Sequence, residues 1–498
     1  MGATRSIAKN TFLLTLGLMS GRVMALFLRK KMMSILDVGD MGIWFTAIGL
    51  TAILQVVTNY GLGTLLTREV TKARGMTLPL FWSTLRIRWI LGGFCYLFLL
   101  GFVSVSGYEP LARSAVLLMG LAIFFEATNM ACDSVLQAHE KVQYQSLGQI
   151  GSTVVYLVLA WIWLDAGHGL MGVVWANLIS RVGRFTIMAP LMFARTGPWR
   201  WRDPDGAPAP GMRDLWRLGL PLCLATTFGI IYNYIDTVML KSMIGNAAAG
   251  VYGTGHQALD VSLMLPSLFG TALFPAMARY GMDTADDVRR LGERALRFML
   301  IVVIPVTLFM SFTAEPIIGW FSKKAEFSDS VSVMIVIIWG LPLQAANIIF
   351  NRLLITAERE KVFIVIGLVS MLSNIALNVY LIPRYSYYGA ASATLISLSV
   401  SFVLHLRFLW GTRYRPPLLR PILGPAGALA VAWLAVSLGF RFAIPSWHVG
   451  WLALPVDQGW SPFLIVAGTT AILYLLSLFG LRVLRRDDVV LLRELFRF

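Results

Sequence analysis

Three kinds of polar side chain recur at helical spacing inside otherwise apolar stretches, and each suits a different chemistry. Glu126, Asn129, Asp133 and Gln137 lie three, four and four residues apart, so they share one helix face. Buried carboxylates of this kind can titrate near neutral pH and couple cation movement to transport, or hydrogen-bond neighbouring helices together. Arg22 stands alone in a first apolar stretch, whereas Arg181 and Arg184 lie three residues apart on one face. An arginine keeps its charge at any working pH and offers a planar fork of donors matching phosphate oxygens. The three arginines therefore suit a cationic cavity, with pairing between helices, such as Arg181 with Glu126, as the structural alternative. Asp236 is a third isolated acid, and His256 with Asp260 forms an i, i+4 pair. One His-Asp pair is too little for a metal site. The cysteines Cys95, Cys132 and Cys223 all fall in apolar runs, so neither a disulfide framework nor a Cys-based metal site is expected. No cofactor is called for, and Lys241-Ser242 lacks the preceding glycines of a P-loop.

The elements that must hold these residues follow from composition. Of 498 residues, 57% are hydrophobic and 14% charged, and the mean hydropathy is +0.70. A soluble domain carries about 25% charged residues, so the chain reads as an all-α polytopic membrane protein. Nine windows free of Asp, Glu, Lys and Arg are long enough to cross hydrocarbon or nearly so: 41–67, 89–108, 142–164, 298–314, 330–351, 362–383, 385–406, 421–440 and 458–481. Five more contain one or two ionisable groups: 10–28, 114–136, 168–194, 218–240 and 249–277, giving about fourteen spans.

The net charge of +16 then marks cytoplasmic loops rather than a nucleic-acid partner. A cytoplasmic N-terminus places about 29 Lys and Arg on inner segments, Arg86 and Arg88 among them, against about nine outside. Both termini are thus expected in the cytoplasm. The stretch 196–214 is rich in Pro and Gly and reads as a linker between 1–195 and 215–410. Residues 411–481 supply two further spans, and 482–498 form an amphipathic tail.

The halves repeat each other. Gly172-Val-Val-Trp-Ala-Asn-Leu-Ile-Ser180 matches Gly389-Ala-Ala-Ser-Ala-Thr-Leu-Ile-Ser397 at five of nine positions. Ala127-Thr-Asn129 matches Ala345-Ala-Asn347, and Met41-Gly42-Ile43-Trp44 matches Ala249-Gly250-Val251-Tyr252. The second half accordingly carries its own stripe, Gln344, Asn347 and Asn351, with amides where the first half has acids. A repeat of six spans keeps the same orientation, a transporter architecture of two parallel six-helix bundles with the substrate between them.

Lys9-Asn10-Thr11, Ser20-Gly21-Arg22 and Asp37-Val38-Gly39-Asp40-Met41-Gly42-Ile43-Trp44 resemble the start of polysaccharide flippases. So do Leu218-Gly219-Leu220-Pro221, Ile235-Asp236-Thr237-Val238-Met239-Leu240, and Asn374, Asn378 and Leu381-Ile382-Pro383 ahead of Gly389-Ala390-Ala391. These are O-antigen-type flippases of the multidrug, oligosaccharidyl-lipid and polysaccharide exporter superfamily. The resemblance implies alternating-access transfer of an undecaprenyl-diphosphate-linked oligosaccharide from the cytoplasmic to the outer leaflet of a bacterial inner membrane. It implies a cavity-facing role for Arg22 and an acidic counterpart in Asp236, with a polysaccharide polymerase as a candidate partner. A lipid II flippase and a cation-coupled multidrug antiporter remain alternatives. The antiporters usually hold a carboxylate deep in span 1, and none occurs between Thr11 and Leu28. A membrane glycosyltransferase or polymerase needs catalytic groups gathered at a loop surface. The expected outer loops offer only scattered groups such as Glu109, His168, Lys323 and His448, so no enzyme is expected.

Overall fold

A computed structural model describes residues 21, 24–197, 212–264, 266–270, 285–359, 361–417, 419–443 and 460–481. Arg22, most of the expected linker and the tail after Leu481 lie outside the described residues. Among the described residues all regular structure is helical. Residues 24–35 form a helix, followed by α1 (Val38–Asn59), α2 (Leu62–Lys72), α3 (Thr77–Val105), α4 (Pro110–Ala138), α5 (Val142–Asp165) and α6 (Gly169–Thr196). Then come α7 (Met212–Met243), α8 (Asn246–Ser262), α9 (Ala285–Phe312), α10 (Ala314–Phe321), α11 (Ser330–Ile338), α12 (Gly340–Thr356), α13 (Lys361–Trp410), α14 (Leu419–Ala443) and α15 (Trp460–Gly480).

Seven helices among the described residues are long and apolar enough to cross a bilayer, or eight if the bent α7 is one span. The helix α6 is not one of them, because Asn177, Arg181 and Arg184 in its middle lower its hydropathy. At 28 residues it is long enough, about 42 Å. The helix α13 runs for 50 residues, too many for one crossing, and Ser386 (φ 50°, ψ −132°) breaks it between the two spans expected there. Two boundaries differ from the sequence expectation. The window 41–67 is split where Tyr60 and Gly61 both take positive φ, 49° and 69°. Arg86 and Arg88 fall inside α3 rather than in a loop, because α3 starts at Thr77.

The chain divides into two compact units. The first holds residues 1–253 with 321–326 and 378–387, and the second holds the remainder. In the first, α4 packs on α1, α3 and α6, α5 packs on α6, and α7 packs along α1. In the second, α9 packs on α12 and α14, α14 packs on α15, and the Tyr474 hydroxyl of α15 donates to the Ile301 carbonyl of α9 at 2.9 Å.

The third repeat match has a direct structural meaning in the first unit. A Cβ built on Gly42 would lie 1.8 Å from the Asn246 carbonyl oxygen, and one on Gly250 would lie 1.9 Å from that of Val38. Val38 and Asn246 each precede their motif glycine by four residues. The first turns of α1 and α8 therefore cross backbone to backbone in a symmetric contact that only glycine admits, as in other close helix crossings within lipid.

Gly42→Ala and Gly250→Ala are each expected to destabilise the protein by about 1–3 kcal/mol or more through overpacking. Gly101→Ala, whose Cβ would meet nothing within 4 Å, is the control and should be neutral or mildly stabilising. Thermal unfolding in detergent, followed by monodisperse elution, measures both.

Candidate functional site

The acidic stripe of α4 meets the arginines of α6. Arg181 Nη1 lies 2.5 Å from Glu126 Oε2, Arg184 Nη2 lies 2.7 Å from Asp133 Oδ2, and Arg184 Nη1 reaches Glu126 at 3.8 Å. The rotation of α6 that permits this is held from two sides. Asn129 Nδ2 of α4 donates to the Arg181 carbonyl at 3.2 Å, and Ser152 Oγ of α5 donates to the adjacent Ser180 carbonyl at 3.1 Å. Two acids and two arginines thus form one neutral network. In a low-dielectric interior such groups persist only when paired.

The two arginines have different surroundings. The Arg184 side chain is 4% exposed and is taken up by Asp133, away from solvent. Arg181 is 34% exposed and, with Glu126, lines a cavity of about 320 Å³. Arg184, expected in the same cavity, is therefore displaced from it: its partner lies two helical turns along α4 from Glu126, and its guanidinium follows that partner inward. The cavity gains a different cation. Arg29 lines it, because the first helix continues to residue 35 instead of ending at Leu28, which puts Arg29 on a helix face rather than at a loop. Gln55, Asn177, Trp44, Tyr156 and Tyr234 complete the polar and aromatic wall, with Trp44 and Tyr156 rings stacked at 6.4 Å and 7°. Charged lining residues number two guanidinium groups against one carboxylate. Arg29 was passed over in the sequence, where its neighbours Lys30 and Lys31 look like a loop cluster. Gln55 and Asn177 were legible as mid-span amides.

The other sequence candidates stand apart from this cavity. Asp236 is buried, accepts from the Tyr252 hydroxyl at 2.6 Å and also accepts from Asn378 Nδ2. Asp260 is largely exposed, 3.5 Å from His256 Nδ1. In the second unit, Gln344, Asn347 and Asn351 share a face of α12, and Asn351 Oδ1 lies 3.0 Å from His405 Nε2. His405 Nδ1 faces the Ser401 carbonyl at 2.8 Å. With Nδ1–H donating there, Nε2 is an acceptor, and the Asn351 amide must present its NH2 to it. In the repeat Asn351 corresponds to Asp133, so the two halves fill one position with a neutral and a charged pair. Sequence reading passed over His405, although it is a rare histidine in an uncharged span. Arg88 was also missed. It is fully buried in α3 and donates to the Ala127 carbonyl at 2.9 Å and to Asn59 Oδ1 at 3.0 Å, joining α3, α4 and the end of α1. Among the described residues no three His, Cys, Asp or Glu gather as a metal site.

Among the described residues, an all-helical fold thus holds a charged, aromatic-lined cavity inside a helical bundle. The model of the polysaccharide biosynthesis protein family matches residues 7–281, more than half of the chain, and the MatE model matches 221–380. The chain belongs to the polysaccharide biosynthesis protein family, and the resemblance carried by its motifs stands. It is 22% identical over 182 residues to the "Probable low-salt glycan biosynthesis flippase Agl15" of Haloferax volcanii, covering 36% of this chain and 38% of that protein. It is 18% identical over 308 residues to the capsular polysaccharide biosynthesis protein CapF of Staphylococcus aureus, covering 62% of this chain and 76% of that one. Its fold is similar to lipid II flippase MurJ in an inward closed conformation, with a TM-score of 0.70 at 16% identity over 94% of this chain and 98% of that one. The match thus spans under two fifths of the length of Agl15.

Breaking the buried pair from one side should cost more than removing it whole. Asp133→Asn or Arg184→Met alone is expected to destabilise by about 3–5 kcal/mol, with the double variant recovering much of the loss. Thermal unfolding of the four proteins in one detergent provides the cycle, and additive single losses would refute the coupling.

Proposed function

We propose that the protein is a flippase that moves a polyprenyl-diphosphate-linked oligosaccharide between membrane leaflets by alternating access. The observation that carries this reading is the cavity itself: Arg29 and Arg181 against Glu126, beside the stacked Trp44 and Tyr156. Guanidinium forks suit the diphosphate, while aromatic faces and the amides of Gln55 and Asn177 suit sugar rings and hydroxyls. Glu126 already occupies Arg181, so an entering phosphate competes with a resident carboxylate. That exchange keeps the anion from being held too tightly to leave, and it gives Glu126 reason to take up a proton when displaced. Asp133, locked to Arg184, holds the frame rather than the cargo, and Asp236 and Asp260 are proposed for gating rather than for binding.

The names of relatives such as Agl15 and CapF support a glycan cargo. The sequence-based organisation belongs to the same reading: bundles 1–195 and 215–410, the linker 196–214, added spans in 411–481, both termini in the cytoplasm of a bacterial cell, and no reaction catalysed. The similarity in fold to MurJ favours lipid II as a second cargo, which shares the polyprenyl diphosphate and differs in the sugar.

The test is transport in proteoliposomes with a fluorescent polyprenyl-diphosphate oligosaccharide, with lipid II and a small cationic drug as parallel cargoes. Arg181→Ala and Arg29→Ala are expected to slow glycolipid transfer about tenfold or more, the loss of one charge-assisted contact. Glu126→Gln should retain transfer while losing its dependence on a pH gradient. Wild-type rates in both arginine variants would end the cationic-cavity reading, and drug movement without glycolipid transfer would favour the antiporter.

A further inference from the structure

The helix over residues 24–35 contributes side chains to two cavities. Arg29 lines the charged cavity, whereas Met24, Phe27 and Leu28 line a second cavity of about 400 Å³. Its opposite wall is Leu157, Val158 and Trp161 of α5, and every residue lining it is apolar. Leu28 lines both cavities, so the two adjoin at this side chain. Phe27, Val158 and Trp161 are each about half exposed. Side chains facing lipid are ordinarily apolar; a hollow among them that abuts a pair of arginines is a narrower feature. Lys31 lies beside one lining residue, Trp161. It pairs with Asp165, and its ammonium lies 5.3 Å from the centre of the Trp161 ring.

The two cavities together have the layout of an amphiphile whose anionic head and apolar chain join within the width of one residue. Charge selects the head, because Arg29 and Arg181 line the charged cavity and guanidinium groups suit phosphate oxygens. Continuity through Leu28 then sets the start of the chain. We propose that the groove between residues 24–35 and α5 seats the first isoprene units of a polyprenyl diphosphate whose head occupies the charged cavity. The inference rests on the flippase reading above and adds to it a defined side of the bundle on which the chain runs. The aromatic rings of Phe27 and Trp161 fit the methyl-branched, unsaturated chain, which they can contact face-on.

Equilibrium binding to the full chain in nanodiscs tests this with undecaprenyl diphosphate and with inorganic pyrophosphate, which carries the head without an isoprene unit. Val158→Trp fills the groove and Phe27→Ala widens it, both at lipid-facing positions. Val158→Trp should weaken undecaprenyl diphosphate about tenfold and leave inorganic pyrophosphate within about twofold. Phe27→Ala should act in the same direction with a smaller effect. A diazirine on the isoprene unit next to the diphosphate should label peptides holding Phe27 or Trp161. Unchanged affinity for the polyprenyl diphosphate in both variants overturns the proposal, as does an equal loss for inorganic pyrophosphate. So does displacement of the label by excess phosphatidylglycerol, which would make the groove a general acyl site. The two readings fail differently. Should wild type bind neither diphosphate, the flippase reading falls and the groove with it. If both bind and Arg181→Ala weakens both, that reading holds and the groove variants alone decide.

Discussion

Arginine cannot be left alone in hydrocarbon, and the first unit is organised around that constraint. Arg181 and Arg184 on α6 require Glu126 and Asp133 on α4 at matching depth, which sets the register between the two helices. Asn129 and Ser152 then hold successive carbonyls of α6, so the rotation as well as the height of that helix is determined. Arg88 supplies a similar tie one helix away, through the Ala127 carbonyl of the same α4. With α4 gripped from both sides by buried cations, the wall it presents between them is the wall of the cavity. A charge network that began as a cost of burying arginine thereby becomes the framework of the site.

The repeat shows what was kept and what diverged. Where backbone meets backbone, Gly42 and Gly250, the halves are equivalent, because any side chain at either position would collide with a carbonyl. Where side chains meet, they differ. Asp133 with Arg184 in one half answers to Asn351 with His405 in the other, and Glu126 answers to Gln344. A neutral amide–imidazole pair fills the same kind of position without the desolvation burden of an ion pair. At these positions the charged pair lies in the half that also holds the cavity.

Much of this was legible in the residues. The spacing of Glu126, Asn129 and Asp133 gave a shared face, and the i, i+3 arginines gave its partner, because helical periodicity survives in any environment. The same reasoning placed Arg184 in the cavity and Arg88 in a loop. Both errors have one origin: a lone cation in a sequence does not reveal where its counter-group lies. Arg29 was not legible for a related reason. Beside Lys30 and Lys31 it reads as an interfacial cluster, and only the continuation of the helix to residue 35 turns it toward the cavity.

Composition and periodicity by themselves determined that this chain is helical, membrane-embedded, duplicated and a bearer of buried charge. Those properties depend on each residue's own transfer free energy and its position along one helix. Tertiary structure alone decided which arginine is consumed by a partner and which remains at a cavity wall, and that an apolar groove adjoins the charged one through Leu28. These are relations between helices distant in sequence, set by packing and by the pairing of charges across it, and no single segment carries them.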